Sequence, residues 1–194
     1  MVIGGVSACE DYLDINTDPN NPTEAPIAAL MVNTTFETAQ NTFRMGDITS
    51  YFVQYLASPN PGSATDVMEH VSHGNTWFNL YNVMTDLSDM IVKAEETEAY
   101  HYMGVGQILM ALNLAMTVDA FGDVPYSEAL DFSTITPTYD DDQALYEEVF
   151  RLLDAGLANL SGETSASPGE DDFIYEGDIE KWIKLGNMLR ARYL

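Results

Sequence analysis

Positive charge is what this chain has least of. Seven Lys and Arg residues stand against 31 Asp and Glu among 194, a formal net charge of −24. Phosphate backbones are gripped by clustered Lys and Arg, so nucleic acid is excluded as a partner, and a peripheral helix on anionic lipid goes with it. Cysteine is nearly absent: Cys9 stands alone, and no intrachain disulfide can form. Of the three histidines, His70 and His73 lie at i, i+3 and His101 is remote. Zinc wants a second pair, or a Cys or carboxylate partner in a ligand motif, so an exposed polar loop is the better reading. No run reaches the roughly 18–20 consecutive apolar residues of a membrane-spanning helix, and no segment alternates strongly like a strand. Gly-rich phosphate loop, nucleophile elbow and reactive-Cys setting are also missing.

Carboxylates are abundant, yet their pattern is that of neither a catalyst nor a calcium loop. Asp140-Asp141-Asp142 and Asp171-Asp172 lack the alternating ligands and central Gly that such a loop needs. Acidic residues in the first turn of a helix are explained by its unsatisfied N–H groups and its dipole, and residues 140–142 take that explanation. The chain reads as a non-enzyme without cofactor or metal.

What is there is a 46% apolar fraction, enough for one core. Residues 10–25, rich in Asp, Asn, Pro and Thr, read as an extended tether. Helical patterning runs over about 26–57, with Leu30, Phe36, Phe43, Ile48, Phe52, Tyr55 and Leu56 as its apolar stripe. Residues 58–66 form a loop. A second helix carries Trp77, Leu80, Tyr81, Met84, Leu87, Ser88 and Ile91 three or four apart. A third, over about 98–120, has a seam of Tyr102, Val105, Leu109, Leu112 and Met116 and a wide apolar surface, so it is expected to be central. After a connection over 130–138, Asp140 is expected to cap a fourth helix, with Gln143 completing a capping box. Its buried face is Leu145, Val149, Leu152, Leu153, Leu157 and Leu160. Residues 161–170 are a loop, and Asp178 caps a last helix carrying Ile179, Trp182, Ile183, Leu189 and Tyr193. The predicted class is all-α: antiparallel helix pairs of tetratricopeptide-like type with long structured loops.

Two places invite a functional reading. Trp77 sits near a helix start, with Asn75 two residues before it and Asn79 two after. A bulky ring on an apolar stripe reads first as core. A ring with neighbouring amides is also the chemistry that stacks on a sugar and bonds its hydroxyls, so Asn75 and Trp77 are the candidate ligand contacts. The second place is the string Asp119-Ala120-Phe121-Gly122-Asp123-Val124-Pro125-Tyr126-Ser127-Glu128-Ala129-Leu130, which closes the third helix. Gly122 can adopt the left-handed conformation that ends a helix, and Pro125 holds Val124 extended. It reads as a rigid corner, a structural element and not a sugar contact.

The same string resembles the signature of the SusD-like (SusD/RagB) family, and other segments follow in the family's order. Val6-Ser7-Ala8-Cys9 is similar to the end of a lipoprotein signal peptide, in a form shortened to eight residues before the Cys. Glu10-Asp11-Tyr12-Leu13-Asp14 resembles the mature N-terminus, and Asp18-Pro19-Asn20-Asn21-Pro22-Thr23 the entry to the first helix. Trp77-Phe78-Asn79-Leu80-Tyr81, the stretch from Tyr139 to Leu160, and Gly177-Asp178-Ile179-Glu180-Lys181-Trp182 continue the likeness. The resemblance implies residues 1–9 as a signal-like segment with lipidation at Cys9, 10–25 as a tether, and 26–194 as the N-terminal helical part of a longer domain whose C-terminal half is missing. It also implies a function: a lipid-anchored protein at the outer-membrane surface that captures oligosaccharide or another nutrient and delivers it to a SusC-like TonB-dependent transporter. The competing readings are a helical interaction scaffold without a small-molecule site and, more distantly, a glycosidase accessory fragment. If the chain ends inside the domain, Ile183 and Leu189 of the last helix are expected to lie exposed.

Overall fold

The computed structural model describes residues 25–130 and 133–194. Cys9 and the segments around it lie outside the described residues. Five helices follow in order: α1 (Ile27–Phe52), α2 (Gly74–Glu96), α3 (Tyr100–Phe121), α4 (Asp142–Leu160) and α5 (Ile179–Tyr193). Among the described residues the only extended pairing is an antiparallel bridge between Val124 and Asp140.

The middle of the molecule is α3. It packs against each of the other four helices, and its residues from Tyr102 to Val118 are buried almost without a break. A helix apolar on every side has to be surrounded, and this one is. By length and composition α3 also meets the requirement for a membrane span, although the sequence shows no uninterrupted run of that kind. The protein itself covers it. Its approach to α4 depends on two small residues. A Cβ added to Gly104 would meet the Gly156 carbonyl oxygen at 2.8 Å, and one added to Gly156 would meet the Gly104 carbonyl oxygen at 2.9 Å. Any side chain at either position would push the helices apart.

α1 departs from its expected stripe. Its inward face is Leu30, Met31, Thr34, Thr35, Thr38 and Asn41, while Phe36 and Phe43 point to solvent, Phe43 at 70% exposure. The reason is a polar seam between α1 and α3. Buried Asn113 donates to Thr38 Oγ1 at 2.8 Å and accepts from Asn41 Nδ2 at 3.4 Å. Thr35 satisfies its own hydroxyl on the Met31 carbonyl at 2.7 Å, so threonine can be buried without a partner from another element. The helix also stops at Phe52, short of residue 57, where Gln54 takes a positive φ.

The expected apolar face of α4 is observed, with Leu145, Val149, Leu152, Leu153 and Leu160 buried. Its cap is Asp141 and not Asp140: the Asp141 carboxylate accepts the Gln143 and Ala144 N–H groups at 3.1 and 3.2 Å. Asp140 is drawn away to the corner described below. In α5, Trp182 and Leu189 are fully buried and Ile183 is partly buried against the core. The expected exposure of Leu189 is therefore overturned, because α5 packs on α4 and α3 with this side inward.

Asp172 is the second carboxylate with an unexpected place. It is buried at 1% exposure. Its oxygens accept the Trp182 indole N–H at 2.6 Å, the Gly177 N–H at 3.0 Å, and the Ile174 and Tyr175 N–H groups at 2.9 and 3.2 Å. It folds the loop before α5 around itself and tethers that loop to the core ring of Trp182. Four donors on one buried carboxylate satisfy the rule that a buried charge must be fully hydrogen-bonded.

Candidate functional site

The corner after α3 is assembled from its own polar residues. Gly122 closes the helix at φ 74°, ψ −129°, a backbone that side-chain-bearing residues avoid. Beyond it Asp123 accepts the Asp142 N–H at 3.1 Å. Val124 is buried and pairs with Asp140, whose N–H donates to the Val124 carbonyl at 3.0 Å. The Asp140 carboxylate then receives the Tyr126 N–H at 2.8 Å, the Ser127 N–H at 2.9 Å and the Ser127 hydroxyl at 2.7 Å. Burial pushes this carboxyl up, but the hydrogen bonds from Ser127 and Tyr126 outweigh it and hold the group below its ordinary 3.8. Glu128 finishes the corner by accepting both the N–H and the hydroxyl of Thr138 at 3.0 Å.

Asp123, Asp141 and Asp142 stand close together here, with one oxygen from each inside a 4.8 Å cluster, all exposed. Asp123 and Asp141 already serve as acceptors for the first N–H groups of α4. Their convergence is that of a helix start.

α2 reaches the corner with one flank. The Tyr81 hydroxyl donates to the Pro125 carbonyl at 2.6 Å, and burial, with Tyr139 and Asp140 nearby, pushes the phenol well above its usual value. Trp77 lies on Tyr81 with ring centroids 4.7 Å apart and meets Phe121 edge-on at 5.1 Å. Trp77 is partly buried, and its ring ties α2 to the end of α3 and to the corner.

The other flank of α2 is open. An α-helix advances about 100° per residue, which places Asn75, Phe78, Asn79 and Asn82 on one side and Trp77, Tyr81 and Met84 on the other. The structure therefore separates the two sequence candidates: Asn75 is exposed in the first turn, and Trp77 points to the opposite flank, into the ring cluster. The two cannot grip one small ligand, since residues two apart on a helix do not face each other. Phe78, which the sequence reading passed over, is the ring that stands out, 62% exposed. Trp182, the other tryptophan, is wholly buried.

Two hollows border α2. A wide groove of about 1040 Å³ is lined by Thr42, Met45, Phe52, His73, Thr76, Met116, Phe121 and Arg192, with Glu69 and His70 at its rim. His73 meets Phe52 edge-on at 5.9 Å. His101 is far from both, bonded to Ser167 and to the Gly162 carbonyl. A smaller hollow of about 580 Å³ lies on the open flank, between Asn33 and Glu37 of α1, Phe78, Asn82 and Asp86 of α2, and Ala129 of the corner, and Tyr81 forms part of its lining while its hydroxyl bonds Pro125. The Asn33 amide donates to Asp86 Oδ2 at 2.7 Å. Burial raises the Asp86 carboxyl, the Asn33 hydrogen bond opposes that, and Asp89 adds to it.

The fold has relatives. Solved structures similar to the chain include a SusD/RagB family protein from Bacteroides thetaiotaomicron, 26% identical with a TM-score of 0.79 over 88% of this chain and 38% of that one. A chitin-binding protein is 31% identical, with a TM-score of 0.64 over 74% of this chain and 32% of its own. A chitin-binding SusD homologue from Flavobacterium johnsoniae is 26% identical, with a TM-score of 0.55 over 62% of this chain and 26% of its own. The chain thus spans well under half the length of these relatives. No curated protein sequence gives a significant match. The family model described as starch-binding, associating with the outer membrane, matches residues 19–194. A match over nearly the whole chain, on an all-helical fold shared with SusD homologues, makes this chain a member of the SusD-like family.

Proposed function

We propose that the chain is the N-terminal helical part of a surface nutrient-binding lipoprotein. It captures oligosaccharide outside the outer membrane and passes it to a SusC-like TonB-dependent transporter, and it breaks no bond. The observation that carries this reading is the family match across residues 19–194, supported by relatives that bind chitin. In this reading residues 1–9 end at the lipidated Cys9, residues 10–25 are the tether, and residues 26–194 form the helical platform. Asn75 and Trp77 remain the ligand contacts expected from sequence, on opposite flanks of α2 and outside the lining of both hollows.

Titration calorimetry of the whole protein against a glycan panel tests capture, with binding of at least one oligosaccharide expected. Silence across polysaccharides and peptides would contradict it. Metabolic labelling with a palmitate analogue tests the anchor: label is expected on the wild type and absent from Cys9→Ala, and equal labelling would exclude Cys9. One observation favours a further role in protein interaction. Val53, Tyr55 and Leu56 follow α1 as exposed apolar side chains, Tyr55 at 87%, and such clusters mark contact surfaces. Co-purification with a transporter in the absence of sugar affinity would make that role the main one.

A further inference from the structure

We propose that the smaller hollow, on the open flank of α2, is a binding site for a neutral saccharide, with Phe78 as its stacking platform and Asn33, Asn82 and Asp86 as its hydrogen-bonding wall. The proposal rests on the nutrient-binding reading above and gives that reading a place on the molecule.

Three features of the hollow point to a sugar. The first is the ring. Phe78 is 62% exposed on a helix whose core side is fully packed, and it contributes nothing to that core. An open aromatic face suits the C–H face of a pyranose, because the negative face of the ring meets weakly positive hydrogens. The second is the amides. Asn33 and Asn82 each carry a donor and an acceptor, and a sugar hydroxyl needs both. Asn33 is already oriented, because its N–H donates to Asp86 Oδ2 at 2.7 Å. That bond leaves the Asn33 carbonyl oxygen and the second Asp86 oxygen for a ligand, so the wall is organised before anything binds. The third is size: about 580 Å³ lies within the roughly 300–1,000 Å³ usual for small-ligand sites.

The charge of the hollow narrows the ligand further. Among the described residues Glu37 and Asp86 are its carboxylates, and no Lys or Arg lines it. Arg44 reaches Glu37 at 3.6 Å from outside. Two carboxylates without a lining cation repel uronates, sulfated sugars and phosphates, whereas a neutral sugar hydroxyl donates to them. The wide groove does not fit this ligand as well, since Met45, Phe52, Met116 and Phe121 give it a mainly apolar wall with Arg192 at one edge.

The test is titration calorimetry of the whole protein with neutral malto-, cello- and chito-oligosaccharides, and with oligogalacturonate as the anionic counterpart. Wild type is expected to bind at least one neutral series and not the galacturonate. Phe78→Ala is expected to weaken binding tenfold or more, Asn82→Ala several-fold, and Phe78→Trp to retain it. Each side chain is exposed, so thermal melting should show all three variants folded. Unchanged affinity in both Phe78→Ala and Asn82→Ala, with wild type binding, overturns the placing of the site and leaves the nutrient-binding reading standing. Absence of any binding by wild type overturns both. Galacturonate bound as tightly as the neutral sugars overturns the assignment to neutral ligands.

Discussion

On one flank of α2, Trp77 and Tyr81 are held by Phe121 and the Pro125 carbonyl; on the other, Phe78 and Asn82 stand beside an open hollow. The flanks belong to one helix and are separated by single residues, yet they differ in what holds them. The closed flank is satisfied from within: ring on ring, hydroxyl on carbonyl, and a corner whose Tyr126, Ser127 and Thr138 N–H groups find carboxylates. The open flank exposes the Phe78 ring and the Asn82 amide, which the core does not use. The corner after α3 is braced by the closed flank, and the site proposed for a ligand lies on the open one.

That contrast can be broken by substitution. Trp77→Ala should have the largest effect, a loss of about 2–3 kcal/mol, somewhat below the ~3–5 kcal/mol of a fully buried tryptophan because Trp77 is only partly buried. Denaturant unfolding would measure it, and a loss under about 0.5 kcal/mol would show that the ring does not hold the corner. Tyr81→Phe removes only the hydroxyl that donates to Pro125 and should cost about 1 kcal/mol.

Acid should loosen the same corner without any substitution. Asp140 has its carboxyl lowered in the folded chain, so it contributes stability above the ordinary 3.8 that is lost as pH falls through the lower folded value. The amide resonances of Tyr126 and Ser127 should titrate together below pH 3.8, and in Asp140→Asn they should not. The smallest change is expected on the open flank. Asn75→Ala and Phe78→Ala should alter stability by no more than about 0.5 kcal/mol, since both side chains are exposed and no side chain caps the start of α2.

Legibility in the sequence followed the same division. α3 and α4 could be read because their apolar residues repeat at helical spacing and nothing else competes for them. α1 was misread at its stripe because its buried seam is Thr and Asn, residue types that a hydrophobic pattern cannot register, tied to Asn113 far along the chain. Asp140 and Asp141 are chemically identical as caps. Only the corner's need for an acceptor at Tyr126 and Ser127 decides between them, and that need is a tertiary fact. Asp172 looked like half of an acidic pair, and its burial under Trp182 could not be inferred from its neighbours. The separation of Asn75 from Trp77, by contrast, was available from helical geometry alone. Phe78 was hidden in a different way: it lies off the apolar stripe of α2, and periodicity does not say whether such a ring meets solvent or a neighbour.

The most direct test of this division of α2 is to titrate wild type and Phe78→Ala with the same neutral oligosaccharide, at a temperature where melting curves show both folded. Wild type is expected to bind, and Phe78→Ala to bind at least tenfold more weakly with an unchanged melting temperature. Equal affinity, or a fall in melting temperature as large as that of Trp77→Ala, would contradict the account.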